Sequence, residues 1–109
     1  MPNYVFIESR DAFDSPDTSF LAETAVSLKK RGNNVTVFLV QNGVLAARKL
    51  SRKSHLPPLL ESGVTVMGDD LSLAERGIQS EECQSAMKAA SIDQFVDLLL
   101  QENTRAVWH

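Results

Sequence analysis

The 109-residue sequence holds one cysteine, Cys83, and that scarcity narrows its chemistry. A lone thiol makes no internal disulfide and no cysteine-based zinc site. It implies a reducing compartment, the cytoplasm. Aromatics are sparse too, at five Phe, one Tyr and one Trp, and the net charge is only −3. Readers of RNA and single strands combine a stacking platform with basic surroundings, so nucleic acid is not an expected partner. The longest apolar stretch, Val35 to Val40, is broken by Thr36, far short of the roughly 20 residues a membrane helix needs. The opening Met-Pro-Asn-Tyr-Val-Phe-Ile-Glu lacks the basic and apolar regions of a signal peptide. There is no Gly-rich phosphate loop, no Ser-His-Asp signature and no HExxH. With two histidines, His55 and His109, no His-rich ligand set supports a metal, and no cofactor is implied.

What is present reads as one α/β domain over residues 1–109. Four apolar runs have strand length: Tyr4–Ile7, Val35–Val40, Val64–Met67 and Ala106–Trp108. Their apolar character on both faces predicts strands covered from both sides. Helix signals lie between them, which predicts a three-layer αβα domain with a mostly parallel sheet of four to five strands. Ser15, Pro16 and Asp17 suit a helix start, Leu21, Ala25 and Leu28 form a stripe, and Gly32 follows Lys29-Lys30-Arg31 at the close. A short helix is expected from Val44 to Lys49, a loop from Leu50 to Pro58, and one helical turn from Leu59 to Ser62. Ser72 and Glu75 have capping-box spacing, so a helix is expected to begin there. Another is expected to open at Ser80 and carry Cys83 and Met87. Ser91 and Gln94 cap the last helix, whose Ile92, Phe95, Val96 and Leu99 make the strongest amphipathic stripe. Phe13, Phe20, Phe38, Phe95 and Trp108 are expected in the core.

In open parallel sheets ligands gather at the carboxyl ends of the strands. Strand one delivers Glu8, Ser9, Arg10, Asp11 and Asp14 there, strand two Gln41 and Asn42, strand three Asp69 and Asp70, and the last strand His109. Adjacent carboxylates at Asp69 and Asp70 suit a divalent cation or a shared proton. Asp is also favoured in turns and helix caps, the plainer reading. Arg10 can pair with either Asp and anchor an anion, or form an ordinary surface ion pair. Cys83, near a helix start, is a candidate nucleophile. Glu81 and Glu82 oppose its thiolate, and most single cysteines behave as small buried hydrophobes. The basic run Arg48, Lys49, Arg52 and Lys53 around His55 is a solvated loop or a dock for an acidic partner.

Several of these motifs resemble one family. Ile7-Glu8-Ser9-Arg10-Asp11 with Phe13 and Asp17-Thr18 resembles the first strand and loop of DsrE/DsrF-like sulfur-relay proteins. Val35 through Val44, with its Phe38 and Gly43-Val44 turn, resembles their second strand. Val64-Thr65-Val66 with Arg76-Gly77-Ile78 resembles their third strand and the Arg-Gly that follows. Ile92-Asp93 through Trp108 looks like the tail of the DsrH/TusB branch. The resemblance implies the family's α/β fold and a homo-oligomer, trimer or hexamer, or a hetero-oligomer with sulfur-relay proteins. Sulfur-carrying members hold a persulfide on a cysteine just after the third strand. The matching position here is Gly68 or Asp69, and an Asp cannot form a persulfide. The expected function is therefore a non-catalytic, ligand- or partner-binding member, with Arg10, Asp11, Gln41, Asn42, Asp69, Asp70 and Arg76 as its binding edge. The alternatives are a sulfur carrier or sulfurtransferase using Cys83, and a metal- or small-molecule-binding protein built on the carboxylates.

Overall fold

A computed structural model describes residues 2–11, 15, 17–48, 55–84 and 86–109. Phe13, Asp14, Pro16, Lys49, Leu50, Arg52 and Lys53 lie outside the described residues. The strands are β1 (Asn3–Glu8), β2 (Asn34–Leu39), β3 (Thr65–Asp69), β4 (Lys88–Ala90) and β5 (Thr104–Trp108). Their order is β4-β3-β2-β1-β5, and every neighbouring pair is parallel. Between them run the helices α1 (Asp17–Lys30), α2 (Leu56–Glu61), α3 (Asp70–Glu75) and α4 (Ile92–Leu100), with 3-10 segments at Gln41–Ala47 and Ser80–Glu82.

Alternation along the strands sorts the side chains into two layers. Val35, Val37 and Leu39 of β2 join Phe6, Val66, Leu21, Ala25, Leu56 and Leu59 in one core under α1 and α2. Phe38 points the other way, is 1% exposed, and meets Phe95 of α4 in a tilted ring contact with centroids 4.4 Å apart. Burying one such side chain contributes roughly 1.5–3 kcal/mol. The three-layer parallel arrangement follows the expectation. So does the start of α1, where Ser15 Oγ accepts from the Asp17 N–H at 3.3 Å. Its end also agrees, at Gly32 with φ of 90°.

Four local expectations are corrected. The helix expected at Val44 is a 3-10 segment that begins earlier, at Gln41. The prolines expected to end a loop lie inside the first turn of α2, where a missing N–H costs nothing. Helix α3 begins at Asp70 because Asp69 caps it, its side chain accepting from the Ser72 N–H, so Ser72 is not the cap. No helix carries Cys83 and Met87. The Glu82 side chain turns back onto the Gln79 N–H and closes a three-residue turn. The Gln84 N–H then donates to the Ala47 carbonyl, Cys83 bridges Arg48, and the chain enters β4 beside β3.

The connection from β4 to β5 crosses the whole sheet, and α4 is its helix. At nine residues α4 is about 14 Å long and about 10 Å wide. Five strands about 4.8 Å apart need more cover than that. The expected cover on both faces therefore fails at β5, exposed at every position after Thr104. Trp108 is 63% exposed and Phe20 is 70% exposed, so neither belongs to the core as expected. The capping box of α4 is present, yet Ile92 and Val96 of its stripe face outward and only Phe95, Leu98 and Leu99 are partly covered.

The turn after β2 rides closely over the end of β1. The Val40 N–H donates to the Glu8 carbonyl at 2.9 Å, and a Cβ added at Gly43 would lie 2.2 Å from that oxygen. Only a residue without a side chain permits this approach. Gly43→Ala is expected to lower stability by roughly 1–3 kcal/mol in urea denaturation, as overpacked sites do. An unchanged midpoint would contradict the close approach.

Candidate functional site

Because all the strands point the same way, their carboxyl ends share one edge, and the candidate residues gather there in two groups. The first joins β2 to β3. Asp69 Oδ2 accepts from the Ser72 N–H at 3.0 Å and from Ser72 Oγ at 2.6 Å. Ser72 Oγ accepts from the Gln41 N–H at 3.0 Å, with Gln41 held at φ 50°. Arg76 donates Nε and Nη2 to Asn42 Oδ1, at 3.3 and 3.1 Å, and Nη1 to the Ser72 carbonyl at 3.2 Å. Gln41, Asp69 and Arg76 are thus linked through Ser72, and Arg76 also holds Asn42. Asp70 is exposed in the first turn of α3, where it complements the helix dipole. Among the described residues no group of three or more His, Cys, Asp or Glu is placed to hold a metal ion.

The second group lies at β1 and β5. Glu8 shares the inner face of β1 with Tyr4 and Phe6, so its side chain turns inward and is only 5% exposed. Its Oε2 lies 2.6 Å from His109 Nδ1, across the register step that follows Ile7 and Trp108. Its Oε1 is buried with no hydrogen-bond partner. Burial pushes the Glu8 carboxyl above its usual 4.5, while the His109 hydrogen bond, the His109 charge and the backbone N–H and charge of Arg10 oppose the rise. A cavity of about 30 Å³, enough for a water molecule, is lined by Glu8, Arg10, Thr18, His55 and apolar side chains of α1, β2 and α2. On the far side of His109, an open groove of about 600 Å³ runs between α1 and β5.

Arg10 is exposed and Asp11 is 9% exposed, its carbonyl accepting from the Ser15 N–H. Cys83 lies elsewhere. It is 6% exposed within the apolar core, with Sγ 3.6 Å from the Gln79 carbonyl. It stands at the end of a three-residue turn, so no helix dipole acts on it as expected from the sequence. The pairing of Glu8 with His109 was missed. The signal was an acidic residue at an inward position of an apolar strand.

Two outcomes follow. Asp69→Ala removes a helix cap and should lower stability by about 1 kcal/mol in urea denaturation while leaving the fold intact; no loss would mean the cap is idle. A carboxyl whose folded pKa is raised contributes stability that is fully present below its unfolded pKa and is lost as pH rises through the folded one. Wild type should therefore lose melting temperature relative to Glu8→Gln as pH climbs from about 4.5 through the raised Glu8 value. The groups facing Glu8 are His109, Arg10 and His55, and all three remain in the variant. A difference that stays flat across that window would refute the shift.

Comparison with known proteins bears on this arrangement. The chain is similar to the ychN protein from E. coli, with 14% identity, full coverage of both chains and a TM-score of 0.86. It is similar to MTH1491 of Methanobacterium thermoautotrophicum, a protein of unknown function, with 17% identity, full coverage of both chains and a TM-score of 0.84. A third structure, BT1422 from Bacteroides thetaiotaomicron, is 20% identical over 98% of this chain and 95% of its own, with a TM-score of 0.74. At such identities the likeness speaks for the fold. No curated protein sequence matches the chain. A family model described as DsrH like protein matches residues 15–105, and the chain therefore belongs to the DsrH-like protein family, of the DsrE/DsrH sulfur-relay type.

Proposed function

We propose that this chain is a ligand- or partner-binding subunit of a sulfur-relay assembly, and that it carries no sulfur covalently itself. The observation that carries the reading is the uncovered apolar face of α4 and β5. Ile92, Val96 and Leu100 of α4 are 63, 43 and 76% exposed, and Trp108, on the same face of the sheet, is 63% exposed, whereas Val107 turns to the α1 face. Apolar exposure concentrated on two adjoining elements marks an interaction surface. The family match supports a place beside sulfur-relay proteins, as one of several copies or as a partner of cysteine-bearing relatives.

The state of Asp69 supports the other half of the proposal. At Asp69, one of the two positions where the resemblance puts the relay cysteine, both the backbone and the hydroxyl of Ser72 bind a carboxylate. That side chain is engaged in capping α3. A carrier role for Cys83 would require its thiol to leave the apolar core.

Native mass spectrometry is expected to show a trimer, a hexamer or a mixed complex with a cysteine-bearing relative. Val96→Asp combined with Leu100→Asp should reduce it to a monomer with unchanged far-ultraviolet circular dichroism. A strict monomer, alone and with the relative, would overturn the assembly. Polysulfide treatment of the folded protein should leave no lasting gain of about 32 Da on Cys83. A stable adduct that passes to an acceptor would make the chain a carrier instead.

A further inference from the structure

His109 is held at three points. Its backbone N–H donates to the Ile7 carbonyl at 2.8 Å, its carbonyl accepts from Ser9 Oγ at 2.9 Å, and Nδ1 meets Glu8 Oε2 at 2.6 Å. An Nδ1–H turned to a carboxylate places the lone pair on Nε2. This is the base-and-orienter pair that activates nucleophiles in many enzymes. No hydrogen bond joins Nε2 to any described residue. The one thiol of the chain, Cys83, is packed around the β3–β4 half of the sheet, with Leu73, Ile78 and Met87.

The ring lines the groove between α1 and β5, whose walls are Tyr4, Phe6, Phe20, Val107 and Trp108. Its volume of about 600 Å³ suits a small molecule. Asp17 stands exposed at its lip, where solvent screens it. Two properties select the guest. A thiol is a stronger acid than a phenol or an ammonium group and gives up its proton to a neutral base more readily. Sulfur is also polarisable and favours contact with aromatic rings.

We propose that the groove binds a low-molecular-weight apolar thiol with its S–H directed at His109 Nε2. The S–H bond breaks, its electron pair stays on sulfur, and the proton forms a new N–H bond on Nε2. Glu8, on the opposite side of the ring, balances the imidazolium. His109 is then the catalytic base and Glu8 its positioning residue. No oxidant or reductant takes part. The proposal rests on the sulfur-relay reading and gives the ligand-binding subunit its ligand class.

Benzyl mercaptan, titrated into the intact protein without air, tests it. Trp108 is the only tryptophan and lines the groove, so its fluorescence reports occupancy, while ultraviolet thiolate absorbance reports the proton. Saturable quenching is expected, with a thiolate fraction at neutral pH raised about tenfold over the free compound. His109→Gln should still bind but lose the thiolate excess. Glu8→Gln should bind and move the pH midpoint of the thiolate signal upward. Absence of saturable quenching, or a thiolate excess that survives His109→Gln, would overturn the proposal. A chain that assembles yet ignores the thiol defeats this inference alone. A monomer that binds and ionises it defeats only the assembly.

Discussion

One crossover governs the molecule. The chain leaves β4 at one edge of the sheet and must reach β5 at the other, and a nine-residue helix is all it spends on that face. The opposite face receives α1, α2 and α3, which close the core over β1, β2 and β3 and leave a groove beside β5. Phe38 shows what α4 does cover, since Phe95 sits on it. Beyond that contact the apolar positions of α4 and β5 meet solvent in the single chain. Their exposure is a consequence of topology: lengthening a strand would not cover them, while a neighbouring surface would.

The carboxyl edge divides along the same axis. At β2 and β3 the polar side chains bond to one another, so Asp69, Ser72, Arg76 and Asn42 join two loops. At β1 and β5 one carboxylate oxygen is bound to a histidine and the other is bound to nothing. Buried polar groups left unsatisfied are costly and uncommon, so they point to chemistry more directly than a completed network does. The half of the edge that the family resemblance singles out is the internally hydrogen-bonded half. The half with chemical potential lies two strands away.

Much of this was legible in the residues. Val35 to Leu39 and Val5 to Ile7 announced buried parallel strands because no polar residue broke their inner faces. Gly32 and the Ser91–Gln94 box marked helix ends by local chemistry that needs no tertiary partner. Strand β4 was illegible: Lys88-Ala89-Ala90 is short, with two of its three residues exposed. It exists because Gln84 and Cys83 are tied back to Ala47 and Arg48, contacts distant in sequence. The Glu8–His109 pair spans the chain for the same reason. Periodicity located both residues at strand ends, and only strand order could make them neighbours. The stripe on α4 is amphipathic, but periodicity alone does not say whether the covering surface belongs to the same chain.

The two margins of the sheet are unequal. On one side β4 offers three residues and a lysine, a stretch too brief and too charged to template another strand. On the other, β5 presents five residues with an unoccupied outer row of amides and carbonyls. A strand that joins there finds no counterpart margin from which to continue. Backbone pairing between chains would thus terminate at a closed couple, and the sheet is protected by its own asymmetry from growing into a fibre.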